Sequence, residues 1–191
     1  VAAYGPELLK LAEEKNVNFL FEASVGGGIP IIRPLKVSLA PDEILGISGI
    51  LNGTTNYILT EMAENGSDFD SVLKDAQEKG YAEKDPTADV EGYDACRKIA
   101  ILTSLAYGKQ LDFEDIYTEG ITKITDRDIQ YAKELGAKIK IFGSSKKVGD
   151  KVSAMVAPKL ITASHPLYSV DGVFNAILVT GNMVGDVMFY G

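Results

Sequence analysis

Four β-prone runs crowd into the last third of the chain, and that clustering most constrains its fold. Lys138–Phe142, Val152–Pro158, Asn175–Thr180 and Asp186–Tyr190 read as strands, and Gly181-Asn182 between the last two reads as a hairpin turn. Upstream, strands alternate with helices. Asn18–Ala23 and Ile44–Leu51 read as strands. Helices are expected over residues 3–16, with Pro6 near the start, and from Thr54 or Thr55 as N-cap to about Glu64. Others cover Phe69–Lys79, Gly92–Tyr107 and Asp126–Leu135, stopped by Gly80, Gly108 and Gly136. Ile29–Leu39 is apolar and partly helical, its regularity limited by Pro30 and Pro34. Alternation followed by clustered strands predicts an α/β or α+β class, with one mixed β-sheet and helices packed on one face. No linker interrupts the chain, so residues 1–191 are read as one domain.

Composition narrows the function classes. The net charge of −8 repels phosphate backbones and anionic membrane surfaces, so neither nucleic acid nor membrane is an expected partner. One cysteine, Cys96, and one histidine, His165, exclude an internal disulfide and a Cys- or His-rich metal site. Any metal must be held by oxygen. No apolar run reaches membrane-spanning length and no signal peptide opens the chain; a cytoplasmic setting fits. Both ends read as cuts in a longer protein, since the first residue is Val1 and the last strand stops without a tail.

Three motifs carry possible chemistry. Gly26-Gly27-Gly28 follows an expected strand, but the sixth position from Gly26 is Ile31, so the dinucleotide fingerprint fails. The triplet is a tight turn, or a close approach to a cation held by Glu22 and the carbonyls of Val25 and Gly27. Asn52-Gly53 reads as a turn, and Asn52-Gly53-Thr54-Thr55 ends a strand and opens a helix, whose N–H groups suit a carboxylate or carbonyl oxygen. Gly80–Lys98 is acidic, and Asp85-Pro86 has the form of an N-cap followed by proline at the first helical position. Asp94 and Lys98, four apart, share one helix face. On an exposed helix that pair is an ion pair worth about 0.2–0.5 kcal/mol. Here IAILTSLAY follows Lys98, so the ammonium sits at the mouth of a buried helix and needs a carboxylate. Glu83, Asp85, Asp89 and Asp94 are at hand to bind an amino group or steer a proton. A non-catalytic amino-acid-binding module and a divalent-metal hydrolase using those four acids are the competing readings. His165, before Pro166, is read as loop or core packing, and Cys96 as a small buried hydrophobe.

FEASVGGGIPII at 21–32, GILNGTTNYILT at 49–60, GYAEKDPTADVEGYDACRKIAIL at 80–102 and, more weakly, HPLYSVDGVFNAI at 165–177 together resemble homoserine dehydrogenase. The resemblance implies the catalytic and dimerisation domain of an oxidoreductase that interconverts L-aspartate 4-semialdehyde and L-homoserine with NAD(P)H. That reaction is a step toward threonine, methionine and isoleucine. It implies Lys98 as a catalytic lysine with Asp94 as its partner. Glu83, Asp89, Tyr81, Gly53 and Thr54 become substrate contacts, with Glu83 and Asp89 receiving the amino group. Glu22 with the backbone of Val25, Gly27 and Ile29 becomes a monovalent-cation (Na+) site. The resemblance also implies a homodimer through the sheet, and a cofactor bound mainly by a nucleotide-binding domain outside this chain. A second lysine of the family's proton path is expected just upstream of Val1, and the isolated fragment is expected to be inactive.

Overall fold

Stop signals in the sequence end the elements where expected: Gly80 and Gly108 take left-handed backbone angles just past two helices, conformations that only glycine adopts freely. The computed structural model describes residues 1–191. Helix α1 (Gly5–Glu14) carries Pro6 in its first turn, and a π-helical turn, Pro34–Ser38, precedes strand β1 (Ile44–Ile50). Helices α2 (Gly53–Asn65), α3 (Phe69–Glu78), α4 (Thr87–Val90) and α5 (Tyr93–Tyr107) follow. Strand β2 (Tyr117–Thr118) and helix α6 (Asp126–Glu134) lead to two hairpins. These are β3 (Ala137–Val148) with β4 (Lys151–Thr162), and β5 (Ala176–Gly181) with β6 (Gly185–Tyr190).

The strands form one mixed sheet in the order β2-β4-β3-β1-β5-β6. Only the β2–β4 pair is parallel. Alternation along the strands sorts the side chains. Ile141, Val156, Ile177 and Val179 join the main core beneath the helices, with Ile58 and Leu59 of α2 and Ile99 and Leu102 of α5. Helix α5 passes close over β3 because Gly143 has no side chain. A Cβ there would come 2.7 Å from Leu51 Cδ1 and 3.1 Å from Ile99 Cβ. That close approach brings Lys98, beside Ile99, to the end of β1.

The opposite face is half covered. The loop between β4 and β5 closes Phe142, Ile161, Leu167, Val170 and Leu178 into a second, smaller core. Beside it Lys140 is buried at 2% exposure. Its ammonium donates to Asn56 Oδ1 at 2.9 Å, the Val170 carbonyl at 2.8 Å and Asp171 Oδ1 at 2.8 Å. All three ammonium hydrogens are thus satisfied, as a buried charge requires. The rest of this face is open and holds a cavity of about 590 Å³ lined by Ser48, Ser144, Ser153, Met155 and Lys159.

Four local expectations are corrected. Asn18–Ala23 forms no strand: it is irregular, and Glu22–Ser24 is a 3-10 turn. No strand of this chain lies beside it to pair its backbone, and Leu20 is 89% exposed. The N-cap of α2 is Asn52, whose side chain accepts from the Thr55 N–H at 2.9 Å; neither Thr54 nor Thr55 fills that position. The N-cap of α4 is Pro86 rather than Asp85. Asp85 instead accepts from the Thr87 hydroxyl at 2.6 Å and the Thr87 N–H at 3.2 Å, an Asx-type turn. The β3–β4 hairpin is longer than expected, because its paired ends extend past the apolar runs into lysine- and serine-rich sequence.

Candidate active site

The end of β1, helix α4 and the first turns of α5 converge on one polar cluster. Asp94 and Lys98 lie one turn apart on α5, and Lys98 Nζ meets Asp94 Oδ2 at 2.6 Å. The same ammonium donates to the Leu51 carbonyl at 2.9 Å. The two side chains are 31% and 21% exposed, so the pair sits at the protein's edge with one side toward solvent. Asn52, next to Leu51, spans the remaining acids: its Nδ2 donates to Asp89 Oδ1 at 2.7 Å and to Asp94 Oδ2 at 2.9 Å. An ammonium, two carboxylates and an amide therefore form one continuous network. Such a network can hold a cation of opposite charge to its acids and present an acidic N–H to an oxygen.

Loops around the network are tied to it. The Thr54 hydroxyl donates to the Tyr81 carbonyl at 2.6 Å. The Tyr81 ring lies 5.0 Å from that of Tyr57 and is half exposed toward solvent. Tyr57 is anchored beneath it, donating to Asp75 at 2.6 Å and accepting from Lys79 at 2.8 Å. Burial, with help from Asp75, pushes the Tyr57 phenol above its ordinary value, so it stays a neutral donor. Gly53 packs on the loop before β5, where a Cβ would lie 2.6 Å from the Val173 carbonyl oxygen. Glu83 is exposed, and the only protein hydrogen bond at this residue is to its main-chain carbonyl, from Gln77. Glu83 and Asp85 thus stay outside the hydrogen-bonded cluster, and no three acids gather as a metal-hydrolase site would need.

Glu22 lies in a separate loop. Its carboxylate accepts from the Ile32 N–H at 2.6 Å and the Arg33 N–H at 2.9 Å. The carbonyls of Val25, Gly27 and Ile29 accept no hydrogen bond from the protein. Gly26 and Gly27 both take positive φ, which turns the backbone sharply between Glu22 and Ile29. The Glu22 carboxylate is thus held by two main-chain N–H groups, while the three carbonyls keep their lone pairs free of protein donors. His165 takes no part in either site: its Nδ1 accepts from the Leu167 N–H and its ring packs 5.4 Å from that of Phe142. Cys96 is buried, with its Sγ on the Phe113 carbonyl.

A family model described as homoserine dehydrogenase matches residues 30–191. The chain belongs to the homoserine dehydrogenase family. It is 51% identical to the homoserine dehydrogenase of Neisseria gonorrhoeae over 191 residues, all of this chain and 44% of that protein. It is 52% identical to that of Synechocystis, covering 45% of it. Among solved structures, the homoserine dehydrogenase of Thiobacillus denitrificans superimposes with a TM-score of 0.96 at 46% identity, over all of this chain and 44% of that one. A hyperthermophilic archaeal homoserine dehydrogenase mutant in complex with NADPH superimposes at 0.83 with 33% identity, over 54% of that chain. The chain thus spans less than half the length of the curated relatives it matches.

Within this homoserine dehydrogenase fold, three of the residues singled out in the sequence, Lys98, Asp94 and Asp89, share one network, and Asn52, not among the candidate site residues, joins them. Asn52-Gly53 reads as a turn, and nothing local signals that the Asn52 amide meets acids 37 and 42 residues away.

Proposed function

We propose that this chain is the catalytic and dimerisation domain of a longer homoserine dehydrogenase, interconverting L-aspartate 4-semialdehyde and L-homoserine on the route to threonine, methionine and isoleucine. The observation that carries the reading is the Asn52-bridged network of Asp89, Asp94 and Lys98 at the edge of the domain. Asp89 is hydrogen-bonded through Oδ1 alone, which leaves its second oxygen for a substrate ammonium; Glu83 and Tyr81 are assigned to the same substrate. Gly53 and Thr54 open α2, whose N-terminal end favours the substrate's carboxylate. The glycine fingerprint fails at Gly26-Gly27-Gly28, so NAD(P) is assigned to protein outside this chain, and the isolated chain is expected to be inactive. A bound nicotinamide would supply the hydride that the reduction consumes, or take it up in the reverse direction. In the reducing direction, negative charge builds on the aldehyde oxygen; the Lys98 ammonium stabilises that charge and donates the proton, while Asp94 and the Leu51 carbonyl hold it in place. Asp89→Asn in the full-length protein is expected to raise the KM for homoserine about tenfold or more with a smaller change in kcat. An unchanged KM would remove Asp89 from amine recognition.

Glu22 and the carbonyls of Val25, Gly27 and Ile29 are assigned to a monovalent cation such as Na+, supported by the Glu22 charge and by three carbonyls that no protein donor occupies. The open sheet face is assigned to a homodimer. Its concavity, with Met155 and the stacked pair Phe174 and Tyr190 exposed, is a surface that a second copy can cover. Met155→Glu in the full-length protein should convert a dimer to a monomer in sedimentation velocity; an undisturbed dimer would place the interface elsewhere. No helix is long and apolar enough to cross a membrane; a cytoplasmic location accords with the proposed biosynthetic role.

A further inference from the structure

We propose that Asn52 is the positioning residue of this site, fixing the catalytic ammonium and the amine-binding carboxylate from one side-chain amide. The inference rests on the substrate assignment above. The orientation of the amide follows from its partners: the Thr55 N–H can only donate, so the atom facing it is Oδ1. The Thr55 hydroxyl donates to the same oxygen at 3.0 Å. The NH2 group therefore points at the carboxylates, and its two hydrogens are used on Asp89 Oδ1 and Asp94 Oδ2. Asp94 Oδ2 receives two donors, Lys98 and Asn52, which locks the rotamer of the acid that holds the lysine. Asp89 is held through one oxygen and presents the other. Asn52 follows directly on Leu51, whose carbonyl holds the same ammonium. The end of β1 thus grips the ammonium through a main-chain oxygen and both acids through a neutral donor. A cationic residue in place of Asn52 would cancel the negative charge that attracts the substrate's amine; an acidic one would repel both carboxylates.

Helix capping separates this role from a structural one. Asn, Asp and Ser are comparably good N-caps. If Asn52 only starts α2, Asn52→Ser and Asn52→Asp should both leave activity near the wild-type value. As a positioning residue, it should give graded losses in the full-length protein: Asn52→Ser lowers kcat and raises the homoserine KM together, about tenfold or more in kcat/KM. Asn52→Asp, although closest in shape, is worse still. Asn52→Ser keeps the cap, so its thermal melting stays near the wild type and it is the fold control; Asn52→Asp, a third carboxylate beside two others, melts lower. A double-mutant cycle supplies the second readout. Asn52→Ser combined with Asp94→Ala should cost less than the two single losses multiplied, because each removes one end of the same hydrogen bond. Multiplicative losses, or Asn52→Asp matching the wild type, would overturn the proposal. If Asp89→Asn and Asp94→Asn act but Asn52→Ser does not, the positioning role alone fails. If neither carboxylate variant acts, the substrate assignment fails and the positioning role falls with it.

Discussion

Lys98→Ala in the full-length protein is expected to lower kcat about 100- to 10,000-fold, the range over which a positioned proton donor contributes. The fold should persist. The Lys98–Asp94 pair is partly exposed, so Asp94 can be solvated when its partner is gone. Asp94 also keeps the Asn52 hydrogen bond, and the hydrophobic packing of Ile99 and Leu102 is untouched. Circular dichroism and thermal melting would establish folding, and steady-state kinetics would give kcat and KM separately. The loss should fall on kcat more than on the homoserine KM, because the ammonium acts chiefly on charge that develops in the transition state. Near-normal turnover would remove Lys98 from the mechanism.

The largest expected effect on stability is at Asp171. Removing it leaves the Lys140 ammonium enclosed with two neutral oxygens and no countercharge. Breaking one side of a buried pair typically costs about 3–5 kcal/mol. Because Asp171 itself is about a third exposed, the lower end applies, and Asp171→Ala should destabilise the folded chain by about 3 kcal/mol in urea titration. Lys140→Met in the same background should recover part of the loss by removing the stranded charge. Recovery should be incomplete because Asn56 Oδ1 then loses its donor.

The pH dependence follows from the same network. Burial acts to raise the Asp171 carboxyl, but hydrogen bonds and charge from Lys138 and Lys140 outweigh it and hold the carboxyl below its ordinary 3.8. Its contribution is therefore complete above 3.8 and lost as pH falls through the lower folded value, so wild type and Asp171→Ala converge in strong acid. Burial lowers the Lys140 ammonium, with Asp171 opposing that shift. Without Asp171 the folded state gives up this proton more readily. The deficit of the variant should then narrow as pH rises toward 10.5, where the unfolded chain still binds the proton. Parallel stability curves across both ranges would contradict the assigned network.

Much of the architecture was legible because its signals are local. The periodicity of α3 and α5, the glycine stops and the Gly181-Asn182 turn each lie within a few residues of what they determine. So does the Asp94–Lys98 pair, one helical turn apart. What escaped depends on distant partners. Asn18–Ala23 has a strand's composition, but strand formation needs a neighbour, and the sheet places none there. Lys140 alternates with Ile139 and Ile141, and nothing near it in sequence signals its burial by the loop at Val170 and Asp171. Asn52 reads as a turn residue until α4 and α5 bring Asp89 and Asp94 to its amide. The acidic run also overstated the cluster, since four acids close in sequence supply only two to the hydrogen-bonded network. Loop geometry leaves Glu83 exposed and turns Asp85 back on Thr87.

The position of bound homoserine tests the central claim most directly. In a crystal structure of the full-length protein with homoserine and an unreactive nicotinamide analogue, the substrate's hydroxyl oxygen should lie about 2.6–3.2 Å from Lys98 Nζ. Its ammonium should contact the free oxygen of Asp89. A substrate seated with its hydroxyl remote from Lys98, or with its amine away from Asp89, would contradict the account.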